Sequence, residues 1–177
     1  MRLVCLLFVC SVVFIGCNKP GCTDPLAVNY DSSANDEDGT CQYVPTLSTI
    51  PLNISTNNVY SVQTGGVISS DGGSDVTLRG LCWGTSPNPT IANDTTINGS
   101  GTGTFSSTVI SLQLLTTYYF RAYATNSNGT GYGDEFSLTT SLEIGISFQG
   151  GTIFYVDGNG GGLIAGPDVG GAYADWG

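Results

Sequence analysis

Acidic side chains are concentrated in one short segment of the sequence, residues 21–41, which has a cysteine near each end. Carboxylate oxygens are ligands that Ca²⁺ prefers, and a glycine commonly makes the sharp turn in a loop around the ion. The carboxylates that could act together are those of Asp24, Asp31, Asp36, Glu37 and Asp38, and Gly39 follows the last three. A calcium site is therefore one hypothesis for this segment, and a solvated acidic turn is the alternative.

The six cysteines fall into three groups along the chain. They are Cys5 and Cys10 in an apolar leader, Cys17 at its end, and Cys22, Cys41 and Cys82 beyond it. Because Cys22 and Cys41 bracket a polar segment that cannot build its own core, we predict a disulfide between them, worth about 3 kcal/mol. Cys82 lies in the apolar stretch LRGLCWG, with no histidine or cluster of cations to activate it, which predicts a buried and unreactive thiol.

The composition excludes most catalytic chemistry. The chain has no histidine, and Lys19 is its single lysine, which removes histidine triads, most zinc sites and lysine Schiff bases. A glycosidase pair of carboxylates would need a deep cleft on a larger scaffold. The net charge of −10 repels nucleic acid. We therefore expect a protein that is not an enzyme, has no nucleic-acid partner and holds no cofactor other than the hypothetical Ca²⁺.

The first seventeen residues have the form of an export signal. Arg2 precedes an apolar run over residues 3–15, which is too short to span a bilayer and ends at Gly16 and Cys17. A small residue directly before a cysteine resembles the lipobox of bacterial lipoproteins, with Phe14 where leucine is usual. The resemblance implies that Cys17 is acylated, so that a lipid anchors the protein to the bacterial cell envelope, at the outer membrane and exposed at the surface. An ordinary secretory signal is the alternative.

The remainder of the sequence has the composition of a β protein. Strand-forming Val, Ile, Thr and Tyr dominate its apolar part, and no segment after Cys17 has the sustained 3.6-residue apolar period of a helix. Apolar residues alternate instead between clusters of Gly, Asn, Ser and Asp, which predicts seven strands. These strands lie at residues 49–54, 61–69, 76–84, 95–98, 103–110, 117–126 and 131–139. Seven strands with this spacing predict an all-β sandwich.

The segment 117–126, TYYFRAYATN, indicates which residues face the core. Tyr118, Phe120, Ala122 and Ala124 alternate along it and are predicted to point inward. The opposite face, together with a neighbouring strand, is a candidate binding surface. Its members are Arg79, Trp83, Tyr119, Arg121 and Tyr123. Such a ladder of rings and guanidinium groups could bind a ligand, or could only stabilise the sheet through cross-strand pairs worth about 0.2–1 kcal/mol each.

Two segments resemble modules of known families. The spacing L-x-x-x-T-x-Y from Leu112 to Tyr118 resembles the tyrosine corner of fibronectin type III domains, in which the Tyr118 hydroxyl would bond the backbone upstream. The likeness extends over residues 51–140, to a bacterial surface variant whose members are adhesive or spacer modules and not enzymes. The sequence GCTDPLAVNYDSSANDEDGTC at residues 21–41 resembles a short module of bacterial surface proteins.

The last segment, residues 141–177, is rich in glycine and differs in character. Residues 152–156 and 162–165 are predicted strands on either side of a turn at 157–160. The strings GG-x-I-FY-x-D, GLIA and WG resemble the opening of a C-type-lectin-like domain of bacterial collagen-like adhesins. Because only the start of such a domain is present, we expect a hairpin fragment of a longer protein. The alternative is a complete tail that packs on the sandwich.

Together these features predict five regions. They are a lipoprotein signal peptide (1–16), a lipid-anchored, disulfide-stapled acidic module (17–43), a linker (44–46), a fibronectin type III-like seven-stranded sandwich (47–140) and a partial C-type-lectin-like domain (141–177). The resemblances imply a role in extracellular binding or adhesion to a glycan or a matrix protein. The alternative is a passive stalk or spacer of a surface assembly with no ligand of its own.

Overall fold

The computed structural model describes residues 18–53, 61–140, 147–148, 151–156, 162–165 and 173–176. The regular secondary structure of these residues consists of β-strands, which confirms the expected all-β class. None of the described residues forms a helix that is long and apolar enough to cross a membrane. The chain divides into two compact units, Met1–Cys41 and Gln42–Gly177. Cys17, the predicted site of lipidation, lies outside the described residues.

The first unit is a small module held by a short strand pair and a disulfide. Strand β1 (Pro20–Gly21) pairs in parallel with β2 (Asp36–Glu37). Cys22 is bonded to Cys41, as predicted. The Cys22 side chain is buried, and Ala27 is buried beside the turns that the disulfide closes. Strands of two residues have no alternation to recognise in a sequence, so β1 and β2 are elements that the sequence does not predict.

The second unit contains a two-sheet sandwich. Its strands are β3 (Thr46–Asn53), β4 (Val62–Ser70), β5 (Leu78–Gly84), β6 (Asp94–Thr95), β7 (Gly103–Val109), β8 (Thr117–Asn126), β9 (Gly129–Tyr132) and β10 (Phe136–Thr139). One sheet has the antiparallel order β3-β4-β7, and the other has the order β10-β8-β5-β6, with β9 also paired to β8. This division of the strands between two sheets is the arrangement of a fibronectin type III-like sandwich, which confirms the predicted fold.

Two buried clusters of side chains fill the space between the sheets. The first contains Val62, Leu81, Val109, Leu112, Tyr118 and Phe120. The second contains Ile68, Val76, Phe105, Ala122 and Ala124. The four alternate residues of β8 that were expected to point inward all belong to these clusters, so the predicted core face is confirmed. Each large apolar side chain buried in this way contributes about 1.5–3 kcal/mol to folding.

A tyrosine corner fixes the segment between β7 and β8. The Gln113 backbone N–H donates to the Tyr118 hydroxyl oxygen over 3.1 Å, as the sequence resemblance predicts. On the other side, the Thr140 hydroxyl donates to the Gln113 carbonyl oxygen over 2.6 Å. The Thr116 N–H donates in turn to the same Thr140 oxygen over 3.0 Å. Backbone bonds therefore hold Gln113 from both sides.

The strand predicted at residues 131–139 is divided into β9 and β10, both of which pair with β8. Gly131 and Gly133 explain why β9 packs so closely on the start of β3. A Cβ atom on Gly131 would lie 2.0 Å from the Pro45 carbonyl oxygen, and one on Gly133 would lie 2.6 Å from the Thr49 nitrogen. Only glycine fits at these two positions, and the chain between β9 and β10 bends away from a continuous strand.

Four further strands of the second unit form a separate antiparallel sheet. They are β11 (Ser147–Phe148), β12 (Gly151–Val156), β13 (Gly162–Ala165) and β14 (Tyr173–Trp176), hydrogen-bonded in that order. β12 and β13 correspond to the two predicted strands. β11 and β14 are additional, so this region contains more than the expected hairpin. The predicted turn at 157–160 lies outside the described residues.

Candidate functional site

The carboxylates of the first unit are engaged in local hydrogen bonds. Asp31 accepts a bond from the Lys19 ammonium group over 2.6 Å and bonds from the backbone and hydroxyl of Ser33. Glu37 accepts two bonds of 2.7 Å from Thr23. Donation from Lys19 and Ser33 holds the pKa of the Asp31 carboxyl well below its usual range. The backbone and hydroxyl of Thr23 lower the pKa of Glu37 in the same way.

These bonds do not bring the five candidate calcium ligands together. Asp24 accepts a bond from the Leu26 N–H, and Asp38 accepts bonds from the backbone and hydroxyl of Thr40, as in ordinary turns. Within residues 18–53, three potential metal-ligating side chains converge only at Cys22, Glu37 and Cys41, and the two sulfurs there are joined to each other. Asp36 belongs to the exposed strand β2. The geometry of the module is that of an acidic turn stabilised by its own backbone.

The predicted ladder on the second sheet is wrong, because its members lie on two different faces. Trp83 pairs with Phe120 and Arg79 pairs with Ala124, so both side chains lie on the inner face of the sheet. Tyr119, Arg121 and Tyr123 lie opposite Gly84, Cys82 and Gly80, on the outer face. A shift of one residue in register moves a side chain to the other face, and the sequence alone does not fix the register between β5 and β8.

Two of the five residues have structural roles. Arg79 donates to the carbonyl oxygens of Asn98, Gly101 and Thr102 over 2.9–3.2 Å, and its guanidinium group lies 5.5 Å from the centre of the Phe105 ring. Tyr123 is 1% exposed, and its hydroxyl donates to the Thr96 carbonyl oxygen over 2.8 Å. Burial raises the pKa of the Tyr123 hydroxyl. Both side chains therefore hold the chain that follows β6 and are not available as an exposed ladder.

Part of the outer face is covered by the loop between β5 and β6, residues 85–93. The Arg121 guanidinium group lies 4.8 Å from the centre of the Tyr132 ring, and the Tyr132 hydroxyl accepts a bond of 3.2 Å from the Ile91 N–H. The Glu135 carboxylate accepts a second bond from the loop, donated by the Asn88 N–H. The loop is thereby attached to the sheet at two points.

Cys82 lies beneath this loop. It is a free cysteine with no exposed surface, and its sulfur lies 3.4 Å from the Pro89 carbonyl oxygen. Burial raises the pKa of the thiol to about 11. The predicted buried thiol is confirmed, and the protonated form is favoured because no solvent reaches a thiolate at this position.

A concavity of about 500 Å³ lies where β5 and β6 meet the segment of the tyrosine corner. We call it the Trp83 concavity. Its principal side chains are Trp83, Asn93, Asp94, Gln113 and Tyr118. Trp83 and Asp94 are direct partners in the pairing of β5 with β6, so they project from the same face of the sheet. Gln113 reaches the concavity because the tyrosine corner fixes its backbone.

No protein-family model matches the sequence, and a search of curated proteins finds no match. Solved structures do resemble the chain. Domains A168–A170 of titin are 24% identical, over 60% of this chain and 34% of that one, with a TM-score of 0.40. The sixth fibronectin type III domain of the human fibronectin type III domain containing protein 3 is 25% identical, over 59% of this chain and 92% of that one, with a TM-score of 0.41.

A third similar structure is the kinase region of twitchin from C. elegans, 18% identical with a TM-score of 0.40. The match covers 63% of this chain and 19% of that one, and it falls on a domain that flanks the kinase. The chain spans about a third of the titin fragment. Because these TM-scores are low, the fold assignment depends on this chain's own strand order, register and tyrosine corner.

Sequence reasoning singled out Trp83 but missed the polar residues around it. Asn93 and Asp94 stand in a polar stretch, and Gln113 is an exposed residue beside the corner motif, so no pattern marks them. The one available signal is the corner itself. Since the Tyr118 hydroxyl binds the backbone upstream, the motif implies that the residue at position 113 lies near the start of β8.

Proposed function

We propose that this chain is a non-catalytic binding protein of the bacterial cell surface, held by a lipid on Cys17, that acts in adhesion to an extracellular glycan or matrix protein. The observation that carries the proposal is the Trp83 concavity. Trp83 lines it together with the polar side chains of Thr85, Asn93, Asp94 and Gln113. Concave sites with an aromatic wall and a few convergent polar groups are the usual form of small-ligand sites in proteins.

The concavity also favours a binding role over a spacer role. A spacer needs a stable sandwich and nothing more, so its exposed polar side chains can point to solvent without converging. Here the side chains of Asp94 and Gln113 and the amide nitrogen of Asn93 make no hydrogen bond to any described residue of the chain, yet they border one space beside Trp83. Groups arranged in this way are free to bond a ligand.

The proposed location follows from the leader and from the distance between Cys17 and the first disulfide cysteine. Only four residues separate Cys17 from Cys22 in the sequence. An acylated Cys17 would therefore attach the disulfide module directly at the membrane surface, and several acyl chains anchor a protein stably.

Binding of the purified full chain to arrays of glycans and of matrix proteins tests the proposed function. We expect retention of at least one class above the signal of an Asp94→Asn variant, which keeps the side-chain shape and removes the charge. Equal signals from both proteins on every spot would contradict the proposal and favour a spacer.

The location is tested separately, in the bacterium that makes the protein. We expect the native protein to incorporate a labelled fatty acid, to lose residues 1–16, and to be digested by protease added to intact cells. A Cys17→Ser variant should take up no label. Unlabelled native protein would contradict the anchor without affecting the binding result.

A further inference from the structure

We infer that the Trp83 concavity is a binding site for a neutral saccharide. The inference rests on the proposed function and names the class of ligand for that same site. A sugar ring offers a face of C–H groups and a rim of hydroxyls that both donate and accept hydrogen bonds. A site for it needs an aromatic wall together with several fixed donors and acceptors.

Trp83 provides the aromatic wall. Its side chain is half-buried and packs against the first core cluster on one side, while it lines the concavity on the other. The described residues include no buried side-chain nitrogen or oxygen without a hydrogen-bond partner. No hydrogen bond among the described residues uses the Trp83 indole N–H, so this group has some exposed surface and is available as a donor. The ring is thus fixed by the core and offers both a surface and a donor.

Three polar side chains supply the remaining groups. The Asp94 carboxylate is an acceptor, and the Gln113 amide both donates and accepts. The Asn93 Oδ1 atom accepts a bond of 2.9 Å from the Thr90 N–H, which orients the amide and leaves its nitrogen as a donor. Together they match hydroxyl groups, each of which can donate and accept. An apolar ligand would leave these groups without partners, at a cost of about 1–3 kcal/mol for each one buried.

The backbone positions of these three residues are set by the fold before any ligand binds. Asp94 lies in the strand pair with β5. The Asn93 backbone N–H donates to the Thr90 carbonyl oxygen over 3.0 Å. The Gln113 backbone is bonded on both sides by Tyr118 and Thr140. Because these backbones are fixed, only side-chain rotamers remain to be ordered when a ligand binds.

Charge selects among saccharides. Asp94 places a carboxylate in the wall, and the side chains that line the concavity include no lysine or arginine. The whole chain carries a net charge of −10. Uronic acids and sulfated sugars would therefore meet repulsion without a compensating cation, whereas a neutral sugar can donate hydroxyl bonds to Asp94.

Fluorescence of the full chain measures this binding directly. The chain has two tryptophans, Trp83 and Trp176, so a Trp176→Phe variant reports on Trp83 alone. The probes are short oligomers of glucose, xylose, mannose and N-acetylglucosamine, with galacturonic acid oligomers as the acidic comparison. We expect a saturable change in Trp83 emission with at least one neutral oligomer and none with the acidic ones.

Variants in the same background assign the site. Asp94→Asn and Gln113→Ala should each raise the dissociation constant of the neutral oligomer about tenfold, the loss expected for one good hydrogen bond to a charged or oriented group. The matched controls are Asp134→Asn and Gln63→Ala, both exposed and outside the concavity. They should leave the dissociation constant unchanged.

The inference is overturned if no neutral oligomer changes the emission at about 10 mM, a concentration that detects even weak sites. It is also overturned if the two site variants bind as tightly as the two controls. Retention of a matrix protein on the arrays together with either result would leave the proposed adhesion in place and reject only the saccharide. If the protein binds a saccharide but is absent from the cell surface, the saccharide site stands and the proposed adhesion is rejected.

Discussion

The Tyr118 hydroxyl is a single atom on which the geometry of the Trp83 concavity depends, because it holds the Gln113 backbone. A Tyr118→Phe variant removes this acceptor and leaves the Gln113 N–H unpaired next to the core. We expect the free energy of unfolding to fall by about 1–2 kcal/mol, as measured by chemical denaturation. The control is Tyr119→Phe on the neighbouring, outward position of β8. Equal losses in the two variants would show that the corner bond has no special role.

Because the Cys82 thiol is buried, we expect the free energy of unfolding to fall as the pH becomes alkaline. Burial raises its pKa from 9.0 to about 11, so the folded protein keeps the thiol neutral where an unfolded chain ionises it. The stabilisation is complete below pH 9.0 and is lost as the pH rises towards about 11. Chemical denaturation should therefore show a smaller advantage of wild type over Cys82→Ala at the upper end of this interval. A constant difference at all pH values would contradict the assignment.

At the scale of elements, the two sheets approach each other closely at Gly66 of β4. A Cβ atom there would lie 2.7 Å from the Ala122 side chain and 2.8 Å from the Phe105 ring. We expect Gly66→Ala to lower the free energy of unfolding by about 1–3 kcal/mol through overpacking, measured by thermal or chemical denaturation. The control is Gly84→Ala, whose Cβ would meet nothing closer than 3.6 Å. An unaffected Gly66→Ala variant would mean that the sheets can separate at this point.

Strand positions could be predicted from the sequence because alternation within one strand is a local property. The ten residues of β8 were located correctly, and their inward face follows from a period of two. The register between β5 and β8 is not local, since it depends on how two distant segments align. The expected surface put Arg79 and Trp83 on the outer face, whereas their pairing with Ala124 and Phe120 places them on the inner one.

The candidate site also depends on contacts between segments that are distant in the sequence, and on more of them. Its residues come from β5, β6, the loop between them and the corner before β8, which are brought together only by the folded sandwich. Each polar residue taken alone resembles an ordinary loop residue. The candidate calcium ligands show the complementary case, because carboxylates that are close in the sequence are each bonded to their own turn.

At the scale of the whole molecule, two compact units have different means of stabilisation. In its described part, residues 18–41, the first has few buried apolar residues and is closed by the Cys22–Cys41 disulfide and the strand pair β1–β2. The second builds two apolar clusters between its sheets and carries the Trp83 concavity at the edge of the sandwich. Adhesion would combine the proposed anchor before the first unit with the proposed site on the second.

The measurement that tests this account most directly is adhesion of intact bacteria to a surface coated with neutral oligosaccharide. Strains carrying wild-type protein, Asp94→Asn or Asp134→Asn are compared at equal amounts of surface protein. We expect adhesion by the wild-type and Asp134→Asn strains and a clear loss with Asp94→Asn. Equal adhesion by all three strains would contradict the claim that the Trp83 concavity is the site through which this protein binds.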